Sequence, residues 1–322
     1  MAGIKKGTRI GPYQIKDEMP GVKGGMSSVY RASDMDDQTE VALKISRMDF
    51  DDPRFNNALK QEVDILKDLR HPGIVRLIGL RLAGTKKEVY MARALELSGK
   101  PWYYTMEFLA GRSLRDFLKR NNNLPFPLTC AIATRLVDSL IYMHSHGVAH
   151  LDVKPENILF RYPSEKDHPI EPVLIDFGVA ARTKSPRTAG GSLHTMAPEQ
   201  LRHTRGELPP ETSLDMTKMD IYSMGVVAYR MWTGDYPFGG VTAQSITNAV
   251  LNMTVRPPTT INPNLPKECD SLIARWLAKE PNARPTLDEL KRYLYFWSDG
   301  TGAFSETVKT RQGKRWWMFW RK

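Results

Sequence analysis

The chain has 322 residues and a net charge of +10 from 46 basic and 36 acidic side chains, with 41% hydrophobic and 25% charged residues. These are globular values: they exclude a disordered or collagen-like chain, and the length suits two packed lobes or one large domain. Its two cysteines, Cys130 and Cys269, cannot build a disulfide framework and sit in no CxxC pair, which predicts a reducing, cytoplasmic setting.

The first residues, MAGIKKGTRIGPYQ, hold no apolar stretch of the signal-peptide kind, and residues 1–10 read as a short extension. Val29–Arg31 and Val41–Ile45 are β-branched and alternate around the turn DMDDQT, which predicts two paired strands. Pro53 opens a helical pattern in which Phe55, Leu59, Val63, Leu66 and Leu69 recur at spacings of three and four. His71-Pro72-Gly73 ends it, and Ile74–Leu82 and Tyr103–Phe108 read as further strands.

After Gly111 the pattern changes to long amphipathic helices. Leu128–His146 places Ile132, Leu136, Leu140 and Met143 on one face, and Asp220–Trp232, Ala243–Leu251 and Glu268–Lys279 continue the trend. Arg161–Pro172 and His203–Lys218 are polar and proline-bearing, and read as solvated surface insertions. No apolar run is expected to reach the roughly 18–20 residues of a membrane span. The expected class is α+β: a small β-rich lobe with one main helix (11–108), a larger helical lobe (109–297) and a tail (298–322).

Four segments carry the chemistry. A glycine-rich turn, GVKGGMSSV, spans 21–29, and the strand VALK ends at Lys44. HLDVKPEN spans 150–157, and DFG at 176–178 precedes APE at 197–199. Each has an ordinary reading alone: a hairpin turn, a solvated strand lysine, a strand-ending turn. As an ordered set covering about residues 11–297, they make the chain resemble the eukaryotic-type serine/threonine protein kinases, nearest the bacterial ones.

That resemblance implies the bilobal protein-kinase fold and transfer of the γ-phosphate of ATP, with Mg2+ or Mn2+, to protein serine and threonine hydroxyls. Such transfer needs phosphates cradled, charge neutralised and a hydroxyl aimed in line. Asp152 is implied as the group that accepts the hydroxyl proton, and Lys154 as a γ-phosphate contact. Asn157 and Asp176 offer hard oxygen donors at the family's metal positions. Lys44, steered by Glu62, is implied to hold the α- and β-phosphates. Val22, Lys23, Gly24, Gly25, Met26, Ser27 and Val29 would cover the nucleotide, with Ala42 beside the adenine. Met106 takes the gatekeeper position, Glu107 to Leu109 the hinge, and Leu159 the floor. His150 and Phe177 are expected to pack internally, Glu199 to pair with Arg284, and Asp220 to brace the catalytic loop.

Three departures stand out. Val22 and Ser27 replace the first and third glycines of the family's loop, which predicts stiffer closure over ATP. Leu151 stands where the family carries an arginine that pairs with an activation-loop phosphate. Phosphorylation at the candidate sites Thr183, Ser185, Thr188 and Ser192 is therefore not expected to be the main switch. Ser192 and Thr195 replace a threonine and a tyrosine, which leaves the hydroxyl near Asp152 but changes the substrate shelf.

The tail residues 309–322, KTRQGKRWWMFWRK, hold six cations and no acid, more than half the excess charge. The remaining body is only mildly basic, which argues against nucleic-acid binding. Basic residues around Trp316, Trp317, Phe319 and Trp320 suit peripheral contact with anionic lipid; docking of the tryptophans on the lobe itself or on a partner, or neither role, are the other readings. Two further functions remain at this point: a pseudokinase scaffold without transfer, and a small-molecule phosphotransferase. Every charge the chemistry needs is present, and the APE segment and Lys154 suit a docked polypeptide.

Overall fold

A computed structural model describes residues 4–19, 27–46, 53–80, 89–121, 124–163, 169–183, 190–209 and 211–298. The chain divides into two units, Met1–Ala110 and Gly111–Lys322.

Alternation builds the first unit. β1 (Arg9–Ile10), β2 (Tyr13–Glu18), β3 (Ser27–Asp34) and β4 (Glu40–Ser46) pair antiparallel in sequence. α1 (Pro53–Leu66) follows, then β5 (Leu77–Ile78), β6 (Ala92–Arg93) and β7 (Trp102–Glu107). The sheet order is β1-β2-β3-β4-β7-β5, with β6 also on β7. Odd positions Val41, Leu43 and Ile45 enter a core with Ile10, Tyr13, Ile15, Tyr30 and Tyr103. The even positions Ala42 and Lys44 therefore point to the opposite face. Register puts Val29 across from Lys44, and Met106 across from Ala42, so these four side chains share that face. In α1 Leu59, Val63 and Leu66 are buried at helical spacing, with Leu69 just beyond. The expected strand Ile74–Leu82 is shorter: β5 has two residues, and Leu80 forms one isolated bridge to Val89.

The second unit begins with α2 (Leu114–Arg120), whose cap Ser113 accepts the Asp116 N–H at 3.1 Å. α3 (Phe126–Ser145) follows, with Ile132, Leu136, Leu140 and Met143 fully buried. Over an 18-residue window its mean hydropathy is 1.2, so among the described residues one helix is long and apolar enough to span a membrane, contrary to the sequence expectation. Two-thirds of that window is buried, as in a core helix. Then come β8 (Val148–Ala149), β9 (Ile158–Phe160), β10 (Pro172–Leu174) and β11 (Ala181–Arg182), forming two small ladders. These ladders flank the segments 150–157 and 175–180.

α4 (Pro198–Thr204), α5 (Met216–Thr233), α6 (Ala243–Asn252), α7 (Glu268–Trp276) and α8 (Leu287–Ser298) complete the unit. α3 packs on both α5 and α8. Gly225 lets α5 pass Trp276: a Cβ there would lie 2.8 Å from an indole carbon. The indole N–H donates to the Ile221 carbonyl at 2.7 Å. α5 ends at Gly234, left-handed at φ 84°, a conformation glycine adopts without strain. The expected insertions are partly structured. His203 and Thr204 finish α4, Met216–Lys218 start α5, and buried Ile170 leads into β10.

Candidate active site

In the first unit the pairing partners of β4 set the site. Lys44 Nζ donates to Glu62 Oε1 at 2.7 Å, and the two side chains are only 6% and 2% exposed. Strand alternation aims Lys44 to the same face as Val29, Ala42 and Met106, all buried. Glu62 comes from α1, in helical register with Leu59 and Leu66. A buried cation and anion at this distance offset each other's desolvation, and they fix the ammonium on that face. Ser27 and Leu109 are also buried, and Glu107 Oε1 accepts the Arg76 N–H at 2.9 Å. Val22, Lys23, Gly24, Gly25 and Met26 lie outside the described residues.

In the second unit one buried carboxylate collects three donors. Asp152 Oδ2 accepts from Lys154 Nζ at 2.6 Å and from Asn157 Nδ2 at 2.9 Å. Its Oδ1 accepts the Ser192 N–H at 2.9 Å. With two lone pairs per oxygen, Oδ2 is fully engaged and Oδ1 keeps one free. Lys154 also donates to the Ser192 hydroxyl at 2.7 Å, which ties residues 38 positions apart to one ammonium.

Asp220, fully buried at the start of α5, braces this loop. Its carboxylate accepts the N–H groups of His150 at 2.8 Å and Leu151 at 2.7 Å, and it bonds His144 Nε2 at 2.9 Å. Leu151 is buried at φ 64°, a left-handed backbone that costs a leucine about 1–2 kcal/mol. The Asp220 bonds and a Gln200 amide on the Leu151 carbonyl, at 3.3 Å, hold that strain in place. His150 packs its ring 4.9 Å from Phe177 and bonds the Ile175 carbonyl at 3.2 Å.

Asp176 is the other left-handed non-glycine of this loop pair, at φ 63°. Asn157 spends its Nδ2 on Asp152, which leaves the amide oxygen for other partners. Asn157 and Asp176 lie in adjoining segments: the Ile175 N–H donates to the Asn157 carbonyl at 2.9 Å. Leu159 sits in β9, half-buried and bridged to Ser113.

Glu199 and Arg284 form a bidentate pair at 2.7 Å, both buried. Arg284 also donates to the carbonyls of Ala278 and Lys218. Thr195 is buried, and its hydroxyl turns back to the Ser192 carbonyl at 3.2 Å. Thr183 donates its N–H to the Gly147 carbonyl, beside β11. Ser185 and Thr188 lie outside the described residues. A phosphate on Ser192 would place negative charge against Asp152. Sequence reasoning missed His144 and Gln200. Neither has a local signal, because the bonds that reach the loop, His144 to Asp220 and Gln200 to Leu151, span 76 and 49 positions.

The chain matches the family model described as protein kinase domain over residues 21–296. It is 31% identical over 282 residues to the serine/threonine-protein kinase PrkC of Bacillus subtilis, covering 85% of this chain and 39% of that protein. It is 30% identical over 289 residues to PknE of Mycobacterium tuberculosis, covering 88% of this chain and 45% of that protein. PknH of the same species is 30% identical over 284 residues, 86% of this chain and 40% of that protein. The chain thus spans less than half the length of these relatives.

Proposed function

The chain belongs to the protein kinase family, and on that premise we propose that it transfers the γ-phosphate of ATP to serine and threonine hydroxyls of proteins, itself included. Members of the family use ATP and a divalent metal ion. Asp152 carries the reading: a buried carboxylate held by Lys154, Asn157 and Ser192, with one lone pair left on Oδ1. The substrate hydroxyl donates to that oxygen, which orients its lone pair at the γ-phosphorus. The new O–P bond forms as the bond to the β–γ bridging oxygen breaks, ADP leaves, and the hydroxyl proton passes to Asp152. Lys154, 2.6 Å from the carboxylate, supplies positive charge where the transferred group sits. Lys44, held by Glu62, serves the other phosphates.

The oxygens of Asn157 and Asp176 fit Mg2+, with Mn2+ an alternative, because both are hard donors and the Asn157 amide is oriented by Asp152. The bound ion would neutralise phosphate charge. Transfer of labelled γ-phosphate to the chain and to a basic protein substrate tests the proposal. Label on serine and threonine is expected; nucleotide binding without label on any protein would favour the scaffold reading.

A cytoplasmic setting with peripheral membrane contact is proposed from the sequence of the tail, whose residues lie outside those described. Two buried free cysteines agree with a reducing compartment. Co-sedimentation with anionic liposomes should fall on removal of residues 309–322; equal binding with and without them would end this reading.

A further inference from the structure

Arg230, at the C-terminal end of α5, has no carboxylate partner among the described residues. Arg284, Arg161, Arg115 and Arg275 each reach a carboxylate, whereas among the described residues none pairs with Arg230. Its Nε is buried and has no hydrogen-bond partner. The guanidinium carbon instead lies 4.0 Å from the centroid of the Tyr236 ring, which the left-handed turn at Gly234 brings back beside α5. The same ring stacks on His194, centroids 4.5 Å apart at an interplanar angle of 14°. The His194 Nδ1 is also buried and unbonded. All three residues are half-exposed, so the stack borders solvent.

This stack adjoins the phosphoacceptor site. His194 follows Ser192 by two positions, and Ser192 holds both Asp152 and Lys154. Burial raises the Tyr236 phenol above its ordinary value, and the ring also lies in the fields of Arg230, Glu156 and Arg115. Glu156 immediately precedes Asn157. Its carboxylate is 3.8 Å from Arg115, which also has Asp116 at 3.6 Å, so that arginine is already neutralised. Arg230 therefore holds an uncompensated positive charge, with a planar donor edge kept in place by the ring beneath it. The side chain is half-exposed, so a docking acceptor would bond the guanidinium N–H groups that face solvent, not the buried Nε.

We infer that Arg230, Tyr236 and His194 form a specificity site that recognises an acidic side chain beside the phosphoacceptor residue of the protein substrate. The inference rests on the kinase reading above and adds the chemical class of substrate. A carboxylate would accept from the guanidinium, and His194 would border the same contact.

The test uses the full chain and peptides with one serine in an uncharged background, a single glutamate being walked through the flanking positions. At one position, glutamate should raise kcat/KM about tenfold over the uncharged parent, the size of one charge-assisted hydrogen bond. Arg230→Gln should bring that ratio close to one, and Arg230→Glu should make lysine the preferred residue there. A misfolded variant cannot invert a preference. A ratio unchanged in Arg230→Gln, or no position at which glutamate helps, overturns the inference. If no peptide is phosphorylated, the kinase reading has failed separately, and anisotropy of the labelled peptides then decides. Tighter binding of glutamate peptides that inverts in Arg230→Glu supports the site; binding indifferent to charge overturns it.

Discussion

Each unit places a lysine against a carboxylate at nearly the same distance, 2.7 Å for Lys44–Glu62 and 2.6 Å for Lys154–Asp152. The first pair joins a strand to a helix across 18 residues, with side chains 6% and 2% exposed. The second is made within one loop, two residues apart, and its side chains are 21% and 10% exposed. Distance alone does not separate them; burial and connectivity do. The Lys44–Glu62 pair holds secondary structure together as well as aiming a charge, so breaking it strands an ion in the interior. The Lys154–Asp152 pair shares its atoms with Asn157 and Ser192, and leaves one Oδ1 lone pair open.

Burial, not the unit, sets the cost, and Arg284–Glu199 sharpens the point because it is a buried pair of the second unit. Arg284→Ala leaves Glu199 and the carbonyls of Ala278, Lys218 and Lys279 without their donor, and should lower the unfolding free energy by about 3–5 kcal/mol in denaturant titration. Lys44→Met strands Glu62 and should cost the low end of that range, about 3 kcal/mol, with Lys44→Met/Glu62→Gln recovering part of it. If Lys154→Met, in the more exposed pair, destabilised as much as either, the comparison would break.

Ser192→Ala removes the hydroxyl from Lys154 but keeps the backbone bond to Asp152. It should lower kcat about tenfold with little change in melting temperature, and Ser192→Thr should restore the rate. The smallest effect concerns Lys279. Burial and nearby Arg284 and Arg202 lower its pKa to about 8, even though its ammonium donates to the Val250 carbonyl and lies over Phe238. The unfolded chain then binds the extra proton between about pH 8 and its ordinary value near 10.5. Stability contributed by this group therefore rises with pH through that window and is lost as pH falls through 8. Lys279→Met should flatten that slope relative to wild type in melts across the window.

The residues most legible in the sequence are those whose chemistry is local. Asp152, Lys154 and Asn157 fall within six positions, and the structure needs only one turn to bring them together. Lys44 and Glu62 are reachable because strand alternation and helical register each fix a facing direction. The α+β order and the long helices α3, α5, α6 and α7 follow from periodicity. The seven-residue α2 and α4 give under two turns of pattern, too little to separate from a loop. In α8 the signal is present, since Leu287, Leu290 and Leu294 are buried at helical spacing, but alternating aromatics and charges mask it. His144, Gln200 and the Arg230–Tyr236–His194 stack have no local signature, because folding alone makes them neighbours.

On the proposed function, nucleotide binding and phosphate transfer would depend on different lysine–carboxylate pairs. The most direct test of this separation is Asp152→Asn, with ATP binding and γ-phosphate transfer measured on the same preparation. Binding is expected to stay within about twofold, while transfer falls by about 100-fold or more with loss of the proton acceptor. Transfer at the wild-type rate in the Asp152→Asn variant would contradict the account.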